Sequence, residues 1–182
     1  MTRQLEDGAV TFSLSYKFFD EQKMTELSMF INGENILAFE KDGKLLTTRW
    51  NLEELALWLR NFLNNMSEDP YPVDCEGEFA AQKDDNARNF DTDDEKAFDE
   101  YYDKIDEWNT RHRWHAASSG AILADIFFQV VGENVEISWD NRNVEEGVTF
   151  QSESGGVRIL RKLFFDTVDA FLKDYADHWY SV

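Results

Sequence analysis

Residues 27–51 read LSMFINGENILAFEKDGKLLTTRWN. Two apolar runs, Leu27–Ile31 and Ile36–Glu40, are separated by Asn32-Gly33, and Lys41 is followed by Asp42-Gly43 before another apolar run. Asn-Gly and Asp-Gly tolerate the positive φ angles of two-residue hairpin turns, so the stretch predicts an antiparallel meander. Upstream, Val10, Phe12, Leu14, Tyr16 and Phe18 alternate with Thr11, Ser13, Ser15 and Lys17, the two-residue period of a half-buried strand. Downstream, Asn51 precedes LEELALWLRNFL with Glu54 three residues on, which is the spacing of a capping box. The helix so opened carries Leu52, Leu55, Leu59, Phe62, Leu63 and Met66 as one apolar stripe to lay on a sheet.

The last third follows the same order. DIFFQVV and VEISW flank Gly132-Glu133-Asn134, VTF follows, and Val157, Leu160, Phe164, Val168, Phe171, Leu172 and Tyr175 predict a second long helix over about 157–175. The tripeptide Gly-Glu-Asn recurs at 33–35 and 132–134, but shared turn chemistry accounts for so short a repeat without a duplication. Between the two parts lies a stretch of different composition, 67–92, with both prolines and many acids, read as a long, partly ordered connection. Thr92 and Glu95 have capping-box spacing and start a helix, over 93–113 at its widest, with Phe98, Tyr101, Tyr102, Ile105 and Trp108 on one side.

The predicted architecture is therefore one α+β domain over residues 1–182. It has an antiparallel sheet of two meander-like strand sets (1–66 and 121–182), each with one amphipathic helix, plus an additional acidic helix. A chain of this length can bury roughly 70% of the surface it exposes when unfolded, so a core is attainable. With 15% aromatic residues, that core should be rich in rings.

The formal net charge is -19, from 37 Asp and Glu against 18 Lys and Arg. A magnitude of about 2–8 keeps a small domain soluble, so the acid exceeds that need. A field of this sign repels nucleic acid and anionic membrane and attracts basic protein surfaces. The single cysteine, Cys75, excludes an internal disulfide framework and suits a reducing compartment. The opening MTRQLEDGAV lacks the apolar core of a signal peptide, and no run reaches the roughly 20 apolar residues of a membrane span. These features place the protein in the cytoplasm, off the membrane, without fixing its oligomeric state.

Against this acidity, TRHRWHAASSG (110–120) stands out as a knot of cations. At the carboxyl end of the acidic helix, Arg111, His112, Arg113 and His115 would each gain about 0.3–1 kcal/mol from the helix dipole, and a structural role explains them. Three chemical readings compete. His112 and His115 could share a metal, but a site needs three or four ligands and only His178 remains, so no metal and no cofactor is expected. Arg111 and Arg113 with the Ser118-Ser119-Gly120 amides could hold a phosphate, although no P-loop or dinucleotide fingerprint accompanies them. Ser118 or Ser119 with His115 could act in a hydrolase, although neither serine lies in G-x-S-x-G. Trp139, closing a strand before DNRN, is the tryptophan best placed to border a pocket, and with Arg111, Arg113, His115 and Ser119 it marks the alternative ligand site.

The acidic run itself is no EF-hand, because position six from Asp91 is Lys96 where that loop needs glycine. No pair of acids is marked as catalytic. Glu95, Asp99, Asp103 and Asp106 instead recur at four, four and three residues, lining one helix face. Each like-charged pair costs a few tenths of a kcal/mol, relieved when a cationic surface docks. The leading expectation is a non-enzymatic protein-binding module, an inhibitor or immunity-type protein that occludes a basic partner such as a nuclease toxin or nucleic-acid enzyme. Mimicry of DNA would further require Asp84, Asp85 and Asp91 alongside that face.

Overall fold

The structure is a computed structural model that describes residues 10–18, 24–114, 121–142 and 144–179. Its α+β class is the one expected from the sequence. The first strand set holds β1 (Phe12–Phe18), β2 (Met24–Ile31), β3 (Glu34–Asn35), β4 (Ala38–Lys41), β5 (Lys44–Thr47) and β6 (Arg49–Asn51). Asn32 and Gly33 have φ of 51° and 84°, and Asp42 and Gly43 of 53° and 68°, so both turns have the left-handed pair that the dipeptides promised. β2 pairs with β1 on one side and with β3 and β6 on the other, all antiparallel.

α1 (Leu52–Asn64) begins at Asn51, whose side chain accepts from the Glu53 amide at 3.0 Å. Glu54 does not complete the capping box from sequence; its carboxylate accepts the indole N–H of Trp50 at 3.0 Å, because that buried donor is in reach one helical turn away.

In the second set, β7 (Ile126–Val131), β8 (Asn134–Asp140) and β10 (Ser154–Leu160) form a sheet with β8 central. β9 (Val148–Phe150) leaves its sequence neighbours and pairs with β4 instead, so the two sets are joined across the molecule. α4 (Arg161–Trp179) starts later than its apolar spacing implied. Val157 and Leu160 belong to β10, where register with β8 overrides the helical period. Gly155 and Gly156 permit that pairing. A Cβ at either would come under 3.0 Å from the ring of Trp139 or of Phe79, respectively.

Phe12, Phe62, Phe128 and Phe164 meet at the centre, with ring centroids 5.6–5.9 Å apart, and so clamp α1 and α4 onto β1 and β7. The opposite face of the β7–β8 sheet is covered too, by elements the sequence did not lead one to expect. Residues 67–92 are not a loose connection: they contain α2 (Ala80–Ala87) and bury Tyr71, Ala80, Ala81 and Ala87 against Phe127 and Trp108. Covering both faces explains why Ile126–Val130 and Val135–Trp139 are buried without alternation. Glu68 bridges to Val130 and Arg113 to Phe127, which closes part of the free edge of β7.

α3 (Glu95–His112) completes this second layer. Its cap is Asp94, which accepts from the Ala97 amide, rather than the expected Thr92, whose hydroxyl accepts the Asp94 amide one step earlier. Among the described residues, no helix is long and apolar enough to cross a membrane.

Candidate functional site

α3 turns Ile105, Trp108, Asn109 and His112 inward. Glu95, Asp99, Asp103 and Asp106 therefore face outward, and all four are exposed, in the places the heptad-like spacing gave them. None makes an ion pair among the described residues, while Lys96 on the same helix is drawn to Glu100 at 3.3 Å. Many carboxylates elsewhere are neutralised: Glu145 by Lys41, Asp166 by Lys162 and Asp169 by Lys173, each at 2.6–2.7 Å. Phe98, 39% exposed, adds an aromatic ring to the flank of the acid face and leans on Tyr102. Tyr102 donates to the carbonyls of Arg88 and Phe90, which fixes that flank to the end of α2.

Of the acids that DNA mimicry would add to this face, Asp91 is exposed, but Asp84 and Asp85 are committed to other partners. Asp84 is 4% exposed and accepts from Tyr71, Arg88 and Asn109, and Asp85 pairs with Arg142.

The basic stretch that ends α3 is split between two carboxylates. Arg111 pairs with Asp69 at 2.9 Å, and its Nη1 donates to the Glu107 carbonyl. His112 is buried between two acceptors: Nδ1 lies 2.8 Å from the Phe128 carbonyl and Nε2 2.8 Å from Asp69. The ring thereby ties the end of α3 to β7 and to residue 69 at once. Burial works against the ionised form of Asp69, but His112 and Arg111 outweigh it and hold the carboxyl below its ordinary range. Arg113 turns the other way, to Asp125, with its guanidinium 5.6 Å over the Phe127 ring. Trp114 is buried and donates to the Ala124 carbonyl at 2.8 Å. Helix-end cations thus sew α3 to β7 and to Asp69, which is more specific than a dipole effect. His115 and Ser119, with Ser118, lie outside the described residues. Among the described residues no group of three or more His, Cys, Asp or Glu side chains is arranged to hold a metal ion.

Arg113 also leads to the feature that sequence reading missed. It borders a cavity of about 320 Å³ between α2 and the strand ends, adjoined by one of about 280 Å³ that shares Asp85 and Asp140. Asp84 is tied to Arg88 at 2.8 Å, Asp125 to Arg113 at 2.5 Å, and Asp140 and Asp85 to Arg142. Arg142 holds the Asp140 carboxyl below its usual range in spite of partial burial. Asp125 goes the other way: burial raises it, Arg113 opposes, and the charge of Asp84 adds to the rise. Trp139 borders the smaller cavity, and its buried indole N–H has no acceptor among the described residues. Arg111 borders neither cavity, so the structure separates it from Trp139 and Arg113. Nothing in the sequence links residues 84, 125 and 140; the only signal was the Asp-Asp pair at 84–85 beside a cationic Arg88.

No family model, curated protein or solved structure matches the chain.

Proposed function

We propose that the chain is a protein-binding module that docks a basic partner onto the outer face of α3, and that it acts as an inhibitor or immunity-type protein in the cytoplasm. The observation that carries this reading is the row of Glu95, Asp99, Asp103 and Asp106, exposed on one face and without ion pairs among the described residues, in a chain of net charge -19. Uncompensated like charges at this spacing repel one another, and a cationic partner relieves the repulsion while its approach is accelerated at low salt. Phe98 beside the row gives the face an aromatic anchor, which favours a protein over a purely ionic counterpart. A nuclease-type toxin or a nucleic-acid-processing enzyme presents the required basic cleft. Direct binding of nucleic acid is disfavoured by the sign of the field.

The test starts from a partner captured at low salt, purified and titrated back against the wild type and the Asp99→Lys, Asp103→Lys, Asp106→Lys triple variant. Affinity should fall at least about tenfold and its salt dependence should flatten. An unchanged affinity and salt slope removes the acid face from the interaction.

A further inference from the structure

β10 is left open along one side. At the other margin of the same sheet β7 is partly closed by the bridges of Glu68 and Arg113, whereas among the described residues β8 alone pairs with β10. The direction of its free groups follows from the bonds that bracket it. The Asn141 amide donates to the Glu153 carbonyl at 2.6 Å and the Arg161 amide to the Glu133 carbonyl at 2.9 Å, and in the unbroken antiparallel register between them every second residue repeats that pattern. Gly155, Val157 and Ile159 therefore turn their N–H and C=O groups to β8. Gly156 and Arg158, with the Ser154 carbonyl and the Leu160 amide, turn theirs outward. The devices that commonly guard an edge are missing from this strand. It runs seven residues with no proline and no bulge, and its one cation, Arg158, is folded back onto Glu136 and the Glu78 carbonyl.

The strand is complementary to itself. When it is paired antiparallel about a twofold axis at Val157, Gly156 faces Arg158 of the second copy and Ser154 faces its Leu160, so the outward groups meet as hydrogen-bonded pairs. The half-buried Val157 then lies opposite its own copy in a close, non-hydrogen-bonded pair, and Leu160, 63% exposed, is sheltered by the added strand. Just beyond the strand ends, the same register sets Glu153 of one copy against Arg161 of the other. Neither side chain makes an ion pair among the described residues: Glu153 is exposed, and Arg161 donates to the Gly132 carbonyl. The twofold axis makes this match twice. A shift of two residues one way sets Arg158 against Arg158, and the other way sets Glu153 against Ile159, so charge selects the register centred on Val157.

We infer that β10 is a dimerisation edge, on which a second copy of this chain docks its own β10 and continues the β7–β8–β10 sheet from three strands into six. The contact is independent of the α3 face. It forms against a net charge of -19 on each copy, so salt, which screens that repulsion, should strengthen it, the reverse of the salt dependence expected when α3 meets a basic partner.

Sedimentation velocity of the whole chain over a concentration series, at low and at raised salt, reads the association, and amide hydrogen exchange on the same samples locates it. The expected result is a reversible monomer–dimer equilibrium, tighter at raised salt, in which the amides of Gly156, Arg158 and Leu160 exchange more slowly as concentration rises. Glu153→Arg, at an exposed position outside the strand, should weaken the dimer at least about threefold. Glu153→Arg combined with Arg161→Glu should restore it, a recovery that a defect in folding does not give. Leu160→Pro removes an outward amide that β8 does not use and should weaken the dimer at least about tenfold. The α3 triple variant should dimerise at least as tightly as the wild type, because its net charge is lower, so failure here and failure of the α3 reading are separable. A chain that stays monomeric up to about 1 mM at either salt, a dimer without added protection over residues 154–160, or one indifferent to both Glu153→Arg and Leu160→Pro overturns the inference.

Discussion

Replacing Glu136 by Ala isolates the contact that holds α2 on the sheet. Glu136 is 2% exposed in the middle of β8, and its Oε1 accepts the first helical amide of α2, from Ala80, at 2.7 Å. Ser138, two residues along, accepts the next amide, from Ala81, at 3.1 Å. The position before the helix is Phe79, which has no side-chain acceptor, so these two strand residues serve as its cap from across the fold. The other carboxylate oxygen, Oε2, accepts from Arg158 at 3.2–3.3 Å. Truncation leaves the buried Ala80 N–H without a partner, at about 1–3 kcal/mol. Arg158 keeps a hydrogen bond to the Glu78 carbonyl and is 41% exposed, so its loss of a counter-charge is screened and adds at most about 1 kcal/mol. The sum is about 1–4 kcal/mol. For a chain of this size that corresponds to a fall in Tm of roughly 2–16 °C at about 2–4 °C per kcal/mol. Urea unfolding followed by tryptophan fluorescence measures it, and Glu136→Gln, which keeps an acceptor for Ala80, should recover at least half. A loss under about 0.5 kcal/mol for the alanine variant, or no recovery by glutamine, refutes the view that α2 is capped from β8.

Gly156→Ala places a methyl group against the Phe79 ring and should cost about 1–3 kcal/mol in the same assay, as overpacking does; a neutral result means that Phe79 can leave the strand freely. Asn51→Ala removes the acceptor for the Glu53 amide and should cost about 0.5–2 kcal/mol without altering the other helices by circular dichroism. Asp69→Asn tests the helix-end seam through pH. Because Asp69 is held below its unfolded value of about 4, it stabilises the fold above that pH and the contribution is lost as pH falls through the lower folded value. The variant should therefore be less stable at pH 7 and show a shallower acid loss below about pH 4 in urea titrations, and equal slopes for the two proteins would discard the assignment. The α3 triple lysine variant should change stability by no more than a few tenths of a kcal/mol, since positions 99, 103 and 106 stay like-charged among themselves and only Glu95 gains an opposite neighbour on this exposed face.

Local chemistry wrote much of the fold into the chain. Asn32-Gly33 and Asp42-Gly43 set their own φ angles, Asn51 capped its own helix, and the acid row of α3 followed from a 3.6-residue period alone. Such features depend on residues within one or two turns of each other, so a sequence displays them. The rest depended on partners far along the chain. The cap of α2 comes from Glu136 and Ser138, the assignment of Val157 and Leu160 to a strand comes from pairing with β8, and β9 is claimed by β4. The same holds for the cavity, where Asp84, Asp125 and Asp140 meet only because α2 is folded over the strand ends. Hydrogen-bond capacity and charge are balanced over contacts in space, and a spacing along the chain cannot record which distant groups will meet.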